Sequence, residues 1–395
     1  MQKVPTRSIA LLAGAGFASQ AMVRVTDSLL PQIAADFATS VGAASIVVAA
    51  YSVSHGSIQL IIGPASERFG KYRTVTVMCA LSTVLVAVCG IAPSLPALAA
   101  ARFASGAAAG WIIPTSMAYV GDVTPYERRQ PILGRYLSGQ ILGQLFGQAA
   151  GGVLGDWFGW RNVFFVLAGM FALATAGLLF ELMANLATHT ANRADATKRG
   201  GFTADYVAVL SSPWARVVIL AVFIEASIAW GAFAYVGADL HLRFGLSFTA
   251  VGLIVGTFAI GGLLYAASVQ QLVELLGQAG LAVFGGVLLG GAYLLLSAGL
   301  AWWLAPLAVT ATGLGFYALH NTLQTNATQM TPQARATAVA MFSSAIYLGQ
   351  MIGVGVGALI FDRFSAVPLF LLTAVALPAL SLWFAHKLRH HSQQA

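Results

Sequence analysis

The stretch LGQLFGQAAGGVLGDWF, residues 142–158, returns near the end of the chain as LGQMIGVGVGALIFDRF, residues 348–364. When residues 129–158 are aligned with residues 335–364, nine positions are identical at a constant offset of 206 residues, without a gap. Both stretches are apolar, and their shared glycines recur every four residues, close to the helical period. The repeat predicts two similar halves, each containing an equivalent helix.

The composition of the chain predicts a membrane protein. Of its 395 residues, 58% are hydrophobic and 8% are charged, whereas soluble domains carry about 25% charged residues. Apolar runs of roughly 20 residues recur, the length at which a helix crosses ~30 Å of hydrocarbon. The alternation typical of a membrane β-barrel is absent. The sequence predicts an all-α membrane protein with twelve transmembrane helices, near residues 8–35, 43–62, 74–92, 97–120, 132–155, 163–184, 216–237, 248–272, 279–299, 303–326, 336–360 and 368–386.

The twelve spans divide into two six-helix bundles. The most polar stretch, THTANRADATKRGGFTAD, follows the sixth span and predicts a solvated linker. We therefore expect an N-terminal bundle over residues 1–187, a cytoplasmic linker over residues 188–213 and a C-terminal bundle over residues 214–395. Since the repeat relates the fifth span to the eleventh, the bundles are pseudo-repeats. Transporters with parallel repeats bind substrate at the interface between them.

The positive charges predict the orientation. With both termini in the cytoplasm, 15 of the 20 Lys and Arg residues fall in cytoplasmic segments, while outer loops hold Arg161, Arg243 and Arg363. This bias follows the positive-inside rule and predicts a multi-pass protein of a bacterial inner membrane. The net charge of +7 is thus a topology signal, and no nucleic-acid partner is expected.

Four charged residues lie within the apolar spans, away from their ends: Arg24 and Asp27 in AMVRVTDSLLP (residues 21–31), Arg102, and Glu225. A charge at the membrane centre costs at least ~2.5 kcal/mol, so such residues indicate function. The helical rise puts Asp27 and Arg102 at similar depth, ~12 and ~8 Å from the outer face. Arg24 lies one turn deeper on the same face as Asp27. An acid flanked by two arginines predicts a proton-coupling site; the alternative is a permanent ion pair joining the first and fourth helices.

Other polar and aromatic residues within the spans are candidates for a substrate cavity, although each also suits ordinary packing. They are Tyr51, His55, Gln59, Trp111, Gln144, Trp230, Tyr265, Tyr317, His320 and Asn321. In the fifth span, Gly143, Gly147 and Gly151 form a small-residue stripe that lets another helix approach closely, as packing or gating requires. An adjacent stripe of Gln140, Gln144 and Gln148 suits either interhelical hydrogen bonds or a cavity lining.

The segment GPASERFGKYR, residues 63–73, predicts a tight cytoplasmic turn between the second and third spans, either as a solvated loop or as a functional element. Its spacing resembles the signature loop of the major facilitator superfamily, with Glu67 where aspartate is usual. In that family the loop is a cytoplasmic latch that breaks when the protein changes state. The resemblance implies a latch formed by Gly63, Glu67, Arg68, Gly70, Lys71 and Arg73.

Further motifs follow in the order of this family and cover the full chain. Arg102 in ARFASGAAAG is similar to the helix 4 motif, and TPYERR and WRNVFF also resemble family sequences. The run GQLFGQAAGG resembles the antiporter motif of helix 5, although Gln148 stands where proline is usual. Asp27 and Pro31 resemble the Asp-x-x-x-Pro signature of twelve-helix drug:proton antiporters. The resemblance implies the major facilitator fold and export by alternating access.

We therefore expect a proton-coupled secondary transporter that exports a small amphipathic compound. The departure at Gln148 keeps open a proton-coupled importer of a small organic solute or anion. A distant alternative is an intramembrane enzyme using His55, His320 and Glu225, disfavoured because no paired catalytic or zinc-binding motif is present. We expect no enzymatic activity, no cofactor and no metal. The expected partners are a small-molecule substrate, protons and the lipid bilayer, and the expected state is a monomer.

Overall fold

The computed structural model describes the backbone of residues 5–124, 126–185, 188 and 202–394. Throughout these ranges the ordered elements are helices, with no strand, which confirms the all-α fold. The helices are α1 (Thr6–Arg24), α2 (Leu30–Asp36), α3 (Val41–Ala44), α4 (Ile46–Phe69), α5 (Lys71–Gly90), α6 (Leu95–Ala109), α7 (Ile112–Val123), α8 (Tyr126–Phe158), α9 (Trp160–Ala184), α10 (Phe202–Ser211), α11 (Pro213–Phe233), α12 (Val236–Phe244), α13 (Phe248–Ala298), α14 (Ala305–Ala327), α15 (Arg335–Phe364) and α16 (Ala366–Gln394).

Helices occupy each of the twelve predicted spans. Eight helical segments of the described chain are long and apolar enough to cross a membrane. One of these is the 51-residue α13, which contains the eighth and ninth predicted spans on either side of a break at Gly277. The helices of the first, fourth and fifth spans are shorter or more polar and are not among the eight. That they also cross the membrane stays a prediction.

Two predicted spans are broken by proline. The first span was expected to be continuous over residues 8–35, but α1 ends at Arg24 and α2 begins at Leu30. Pro31 has no N–H to donate to the carbonyl of Asp27, and its ring crowds that carbonyl, which favours a kink or break at this point. The fourth span breaks between α6 and α7 for the same reason, because Pro114 cannot donate to the carbonyl of Gly110.

The glycine stripe of α8 lies against the backbone of α1. A Cβ atom built on Gly143 would lie 2.3 Å from the carbonyl oxygen of Phe17, and one on Gly147 would lie 2.2 Å from that of Ala21. Only glycine permits helices to approach this closely. Gly151 meets Val25 in the same way, with a corresponding distance of 2.6 Å.

The repeat seen in the sequence is also a repeat of packing. A Cβ on Gly349 of α15 would lie 2.3 Å from the carbonyl oxygen of Phe223 in α11, and one on Gly353 would lie 1.8 Å from that of Ser227. Each of these residues is 206 positions after its counterpart in the contact between α8 and α1. Each half, α1–α9 and α11–α16, therefore contains an equivalent pair of closely packed helices.

Contacts between loops define two ends of the bundle. At one end, Arg161 forms an ion pair with Asp36 and donates to the carbonyl of Ala92, at 3.3 Å. We call this the distal end, since α1 begins and α16 ends at the opposite, terminal end. At the terminal end, Lys71 pairs with Asp122. The linker was predicted as polar chain over residues 188–213, but α10 makes part of it helical; residues 189–201 lie outside the described chain.

Candidate functional site

The ion pair predicted within the first span forms at its break. Arg24 Nη1 lies 3.6 Å from Asp27 Oδ2, and the two side chains are 6% and 1% exposed. Among the described residues, neither carboxylate oxygen of Asp27 has a hydrogen-bond partner. The non-helical turn at residues 25–29 lets both side chains lie in the interior. The acid is therefore buried beside a single cation at a long distance.

Arg24 also reaches across to the other half of the protein. Its Nη2 donates to Gln350 Oε1 on α15 at 3.3 Å. Its guanidinium carbon lies 3.4 Å from the ring centroid of Trp230 on α11. A desolvated cation–π contact of this kind contributes about 2 kcal/mol. Arg24 therefore links the carboxylate of Asp27 to the interface between the halves.

Gln350 was not among the predicted site residues. The sequence did contain a signal for it, because Gln350 is the repeat counterpart of Gln144, one of the candidate cavity residues. In the structure Gln350 is buried, whereas Gln144 is half-buried. The two equivalent glutamines are therefore used differently in the two halves.

Arg102 does not complete the predicted triad by direct contact. It is fully buried, and the ion pair of Asp27 within 4 Å is with Arg24 rather than with Arg102. Its Nε donates to the carbonyl of Val47 and its Nη1 to that of Met22, both at 3.2 Å. The carbonyl of Met22 lies in the last turn of α1, where it has no helical partner. Arg102 thus ties the broken helix to α4 and α6.

The structure brings together two other predicted residues. His320 Nδ1 lies 2.8 Å from Glu225 Oε2, joining α14 to α11, and Glu225 is fully buried. The other carboxylate oxygen, Oε1, has no hydrogen-bond partner in the part of the chain that the structure describes. His320 stacks on Phe316, with ring centroids 4.8 Å apart and planes 12° apart. This pair is a second buried acidic site, in the C-terminal half.

Aromatic rings surround Arg24 and the Glu225–His320 pair. Trp230 packs edge-on against Phe316 at 4.6 Å between centroids, and against Phe258 at 5.3 Å. Tyr317 extends the cluster to Tyr265, at 6.4 Å. Three of these rings were predicted cavity residues, whereas Phe258 and Phe316 were missed because apolar aromatics in a span look like packing. Asn321, next to His320, is half-buried.

Tyr51, His55 and Gln59 follow one another by single turns along α4. The ring of His55 lies 5.4 Å from that of Tyr51 and 4.2 Å from that of Tyr347 in the other half. Gln59 Nε2 donates to the carbonyl of Gly110 at 3.2 Å, the group that Pro114 leaves without a helical donor. Gln59 therefore stabilises the break in the fourth span, and neighbouring Trp111 is half-buried.

Gln148, which stands at the proline position of the helix 5 motif, is fully buried. Neither the oxygen nor the nitrogen of its side-chain amide has a hydrogen-bond partner among the residues described. Within the described part of the structure Gln148 therefore does not make the interhelical hydrogen bond that one interpretation of the glutamine stripe requires, and the cavity lining stays a prediction. An unsatisfied buried polar group costs about 1–3 kcal/mol, so the Gln148 amide should lower the stability of this arrangement of the helices.

Replacing Gln148 should therefore separate stability from activity. We expect Gln148→Met, which keeps the shape and removes the unpaired amide, to raise the melting temperature in detergent by a few degrees and to slow transport several-fold. Gln59→Met is the control and should lower the melting temperature, because the Gln59 amide is hydrogen-bonded. If Gln148→Met melts early or transports normally, the interpretation of Gln148 is wrong.

The predicted cytoplasmic turn is shorter than expected. Helix α4 continues through Gly63 to Phe69, so Gly63 is helical and the turn is formed by Gly70, whose φ of +86° favours glycine. Lys71 pairs with Asp122 of α7, and Arg73 is exposed. The side chains of Glu67 and Arg68 lie outside the described part, and the latch stays a prediction.

Comparisons with known proteins agree with this architecture. The family profile described as Major Facilitator Superfamily matches residues 12–333. The uncharacterized MFS-type transporter YceJ of Bacillus subtilis is 24% identical over 343 residues, covering 85% of this chain and 84% of that protein. The multidrug export protein EmrB of Haemophilus influenzae is 31% identical over 142 residues, which is 36% of this chain and 28% of that protein.

A solved structure gives the same fold. A mutant of the nucleoside transporter NupG superposes with a TM-score of 0.78, covering 95% of this chain and 98% of that chain at 12% sequence identity. The profile match extends over most of the chain and includes α8 and its partner α1 from residue 12 onward. The chain therefore belongs to the major facilitator superfamily of membrane transporters.

Proposed function

We propose that the protein is a proton-driven exporter of a small amphipathic compound, working by alternating access in a bacterial inner membrane. The observation that carries the proposal is the buried pair of Arg24 and Asp27, which Arg24 extends to Gln350 and Trp230 of the other half. A change in the charge of Asp27 therefore alters the contacts of Arg24 at the interface between the halves. Both termini face the cytoplasm, and the distal end faces outward.

Protonation of Asp27 is the coupling step. It removes the negative charge beside Arg24, which then keeps only its contacts with Gln350 and Trp230 in the opposite half. Loss of a proton restores the attraction within the first half. Protonation of Asp27 thus decides whether the Arg24 side chain is attracted to both halves or only to the opposite half. The two protonation states therefore favour different arrangements of the interface. Arg102 keeps the broken helix in place through the carbonyls of Met22 and Val47.

The aromatic cluster supports a substrate with a planar or apolar part. Trp230 stacks on Arg24 and packs in turn against Phe258 and Phe316, and Phe316 contacts Tyr317. The charges of Arg24, Arg102, Asp27 and Glu225 sum to zero, so the site has no net preference for either sign. Binding pockets of this type select by apolar contact with a few placed polar groups.

Export is supported by the helix 5 motif and by the name of the relative EmrB, a multidrug export protein. The competing function is proton-coupled import. Two fluorescent probes test direction: ethidium, an aromatic cation, and anilinonaphthalene sulfonate, an aromatic anion. In inverted vesicles with an acidic interior, we expect one probe to accumulate against its gradient. Accumulation only in right-side-out vesicles with an acidic exterior would establish import and contradict export.

Glu225 provides an internal control for the coupling site. We expect Glu225→Gln to slow transport but to keep its dependence on the pH gradient, because Gln preserves an acceptor for His320 and Asp27 still carries the proton. Probe accumulation with and without an uncoupler measures this. If Glu225→Gln abolishes pH-driven accumulation while Asp27→Asn retains it, the coupling site is the Glu225–His320 pair.

A further inference from the structure

Asp156, at the distal end of α8, forms a contact that crosses between the halves. Its Oδ2 accepts hydrogen bonds from the backbone N–H of Thr249 at 3.2 Å and from the Thr249 hydroxyl at 2.7 Å. Thr249 lies in the first turn of α13, in the C-terminal half. Beside this contact the helices touch through their backbones, since a Cβ on Gly152 would lie 2.5 Å from Cα of Gly252.

Asp362, at the distal end of α15, makes the equivalent contact from the C-terminal half to the N-terminal half. It accepts hydrogen bonds from the Ser40 hydroxyl and from the backbone N–H of Gly42, the latter at 2.9 Å. Ser40 and Gly42 lie just before and within α3, which leads into α4 of the N-terminal half. Here the carboxylate is in the C-terminal half and the donors are in the N-terminal half, the reverse of the Asp156 contact.

The two aspartates are equivalent positions of the internal repeat, 206 residues apart. Each accepts from a side-chain hydroxyl and a backbone N–H of the opposite half. A third polar contact lies at the same end, where Tyr235 Oη lies 2.9 Å from Ser45 Oγ. Two equivalent carboxylates with equivalent donors indicate a paired element rather than two unrelated surface bonds.

These contacts close over the proposed coupling site. Gly237 of α12 packs on the break in the first span, where a Cβ would lie 3.0 Å from the carbonyl oxygen of Asp27. Ser28, the next residue, is fully buried. Separation of the halves at the distal end therefore uncovers residues 27 and 28.

We propose that Asp156 and Asp362 form a symmetric distal gate. Their hydrogen bonds to Thr249, Ser40 and Gly42 hold the outward end closed over Asp27, and they break together each time that end opens. The two aspartates are positioning residues, since they set how often the site opens outward without touching the substrate. This inference rests on alternating access and on the proposed orientation, and it does not depend on where the proton binds.

Gate opening can be measured without substrate or a pH gradient. The variant Ser28→Cys places a cysteine under the gate, and the rate at which a membrane-impermeant maleimide labels it in intact cells measures how often the gate opens. The chain without this substitution, whose Cys79 and Cys89 are buried, gives the background labelling rate. We expect roughly tenfold faster labelling in Asp156→Ala or Asp362→Ala, because each loses hydrogen bonds to a charged acceptor. The double variant should be faster still, and the Asn variants should fall between wild type and Ala.

Asp36→Asn is the matched control. Asp36 is also a distal carboxylate, but its contacts with Trp160 and Arg161 stay within the N-terminal half, so labelling of Ser28→Cys should not change. Unchanged labelling in the double alanine variant, or equal acceleration by Asp36→Asn, would overturn the proposal.

A cross-link gives a second test that needs no cysteine at Ser28. Ser40→Cys with Asp362→Cys places two thiols where the native side chains touch. Oxidation should cross-link them and stop transport of ethidium or anilinonaphthalene sulfonate, and reduction should restore it. Continued transport by the cross-linked protein would contradict the gate. If the Asp27 coupling experiments fail, the results of the labelling and cross-linking experiments on the gate are unaffected. The two proposals can therefore be refuted independently.

Discussion

Asp27→Asn is expected to abolish pH-driven transport while the protein still folds, binds substrate and exchanges it across the membrane. An amide has nearly the shape of a carboxyl group but cannot release a proton. In reconstituted vesicles, uphill accumulation of the transported probe should fall to the level of protein-free vesicles. Exchange of labelled for unlabelled probe without a pH gradient should persist, since it requires no net proton movement.

The competing account makes Asp27 a structural partner of Arg24. Breaking a buried ion pair can cost about 3–5 kcal/mol, because the remaining charge is uncompensated. Here Arg24 would keep its stacking on Trp230, about 2 kcal/mol, and its bond to Gln350, roughly 1.5–3 kcal/mol. Both contacts are already present in the wild type and add no new stability, but they leave the Arg24 guanidinium with partners after Asp27 is neutralised, and the Arg24–Asp27 contact that is lost is long, at 3.6 Å. We therefore expect a fall in melting temperature of only a few degrees. A variant that melts many degrees early and loses exchange as well as accumulation would favour the structural account.

Gly147→Leu is expected to abolish folding or transport. A Cβ at this position would lie 2.2 Å from the carbonyl oxygen and 2.8 Å from Cα of Ala21. Backbone atoms cannot move aside as a flexible side chain does, so α8 and α1 must separate. Overpacking typically costs about 1–3 kcal/mol, and a clash with backbone should lie at or beyond the upper end. Melting temperature and folded yield in detergent measure the effect.

Gly134→Leu is the matched control for this prediction. Gly134 lies on the same helix, is exposed, and has no heavy atom within 4 Å of its built Cβ. That variant should fold and transport like the wild type. If Gly147→Leu behaves like Gly134→Leu, the close contact between α8 and α1 is not required in any state of the transport cycle.

The large-scale architecture was predictable because it depends on features that recur along the chain. Apolar length gives the helices, and the repeat of residues 129–158 gives the two equivalent halves. The breaks at Pro31 and Pro114 were missed although their signal was present, since each proline withdraws a donor four residues after a carbonyl. Hydropathy over a long window does not register a missing hydrogen bond.

The site was only partly predictable, because a sequence gives the depth of a residue along its helix but not which faces of distant helices pack against each other. The rise per residue predicted that Arg102 and Asp27 lie at similar depth, but it gave no information on side-chain direction. Arg102 points instead to the carbonyls of Met22 and Val47. The pairing of Glu225 with His320 joins residues 95 positions apart, and no pattern in one sequence specifies such a contact.

The most direct test of the central claim is proton release on substrate binding. Purified protein in weakly buffered detergent solution is mixed with the transported probe, ethidium or anilinonaphthalene sulfonate, and a pH-sensitive dye reports released protons. We predict release from wild type and from Glu225→Gln, and none from Asp27→Asn that still binds the probe by fluorescence. Undiminished release from Asp27→Asn would contradict the assignment of Asp27 as the proton carrier.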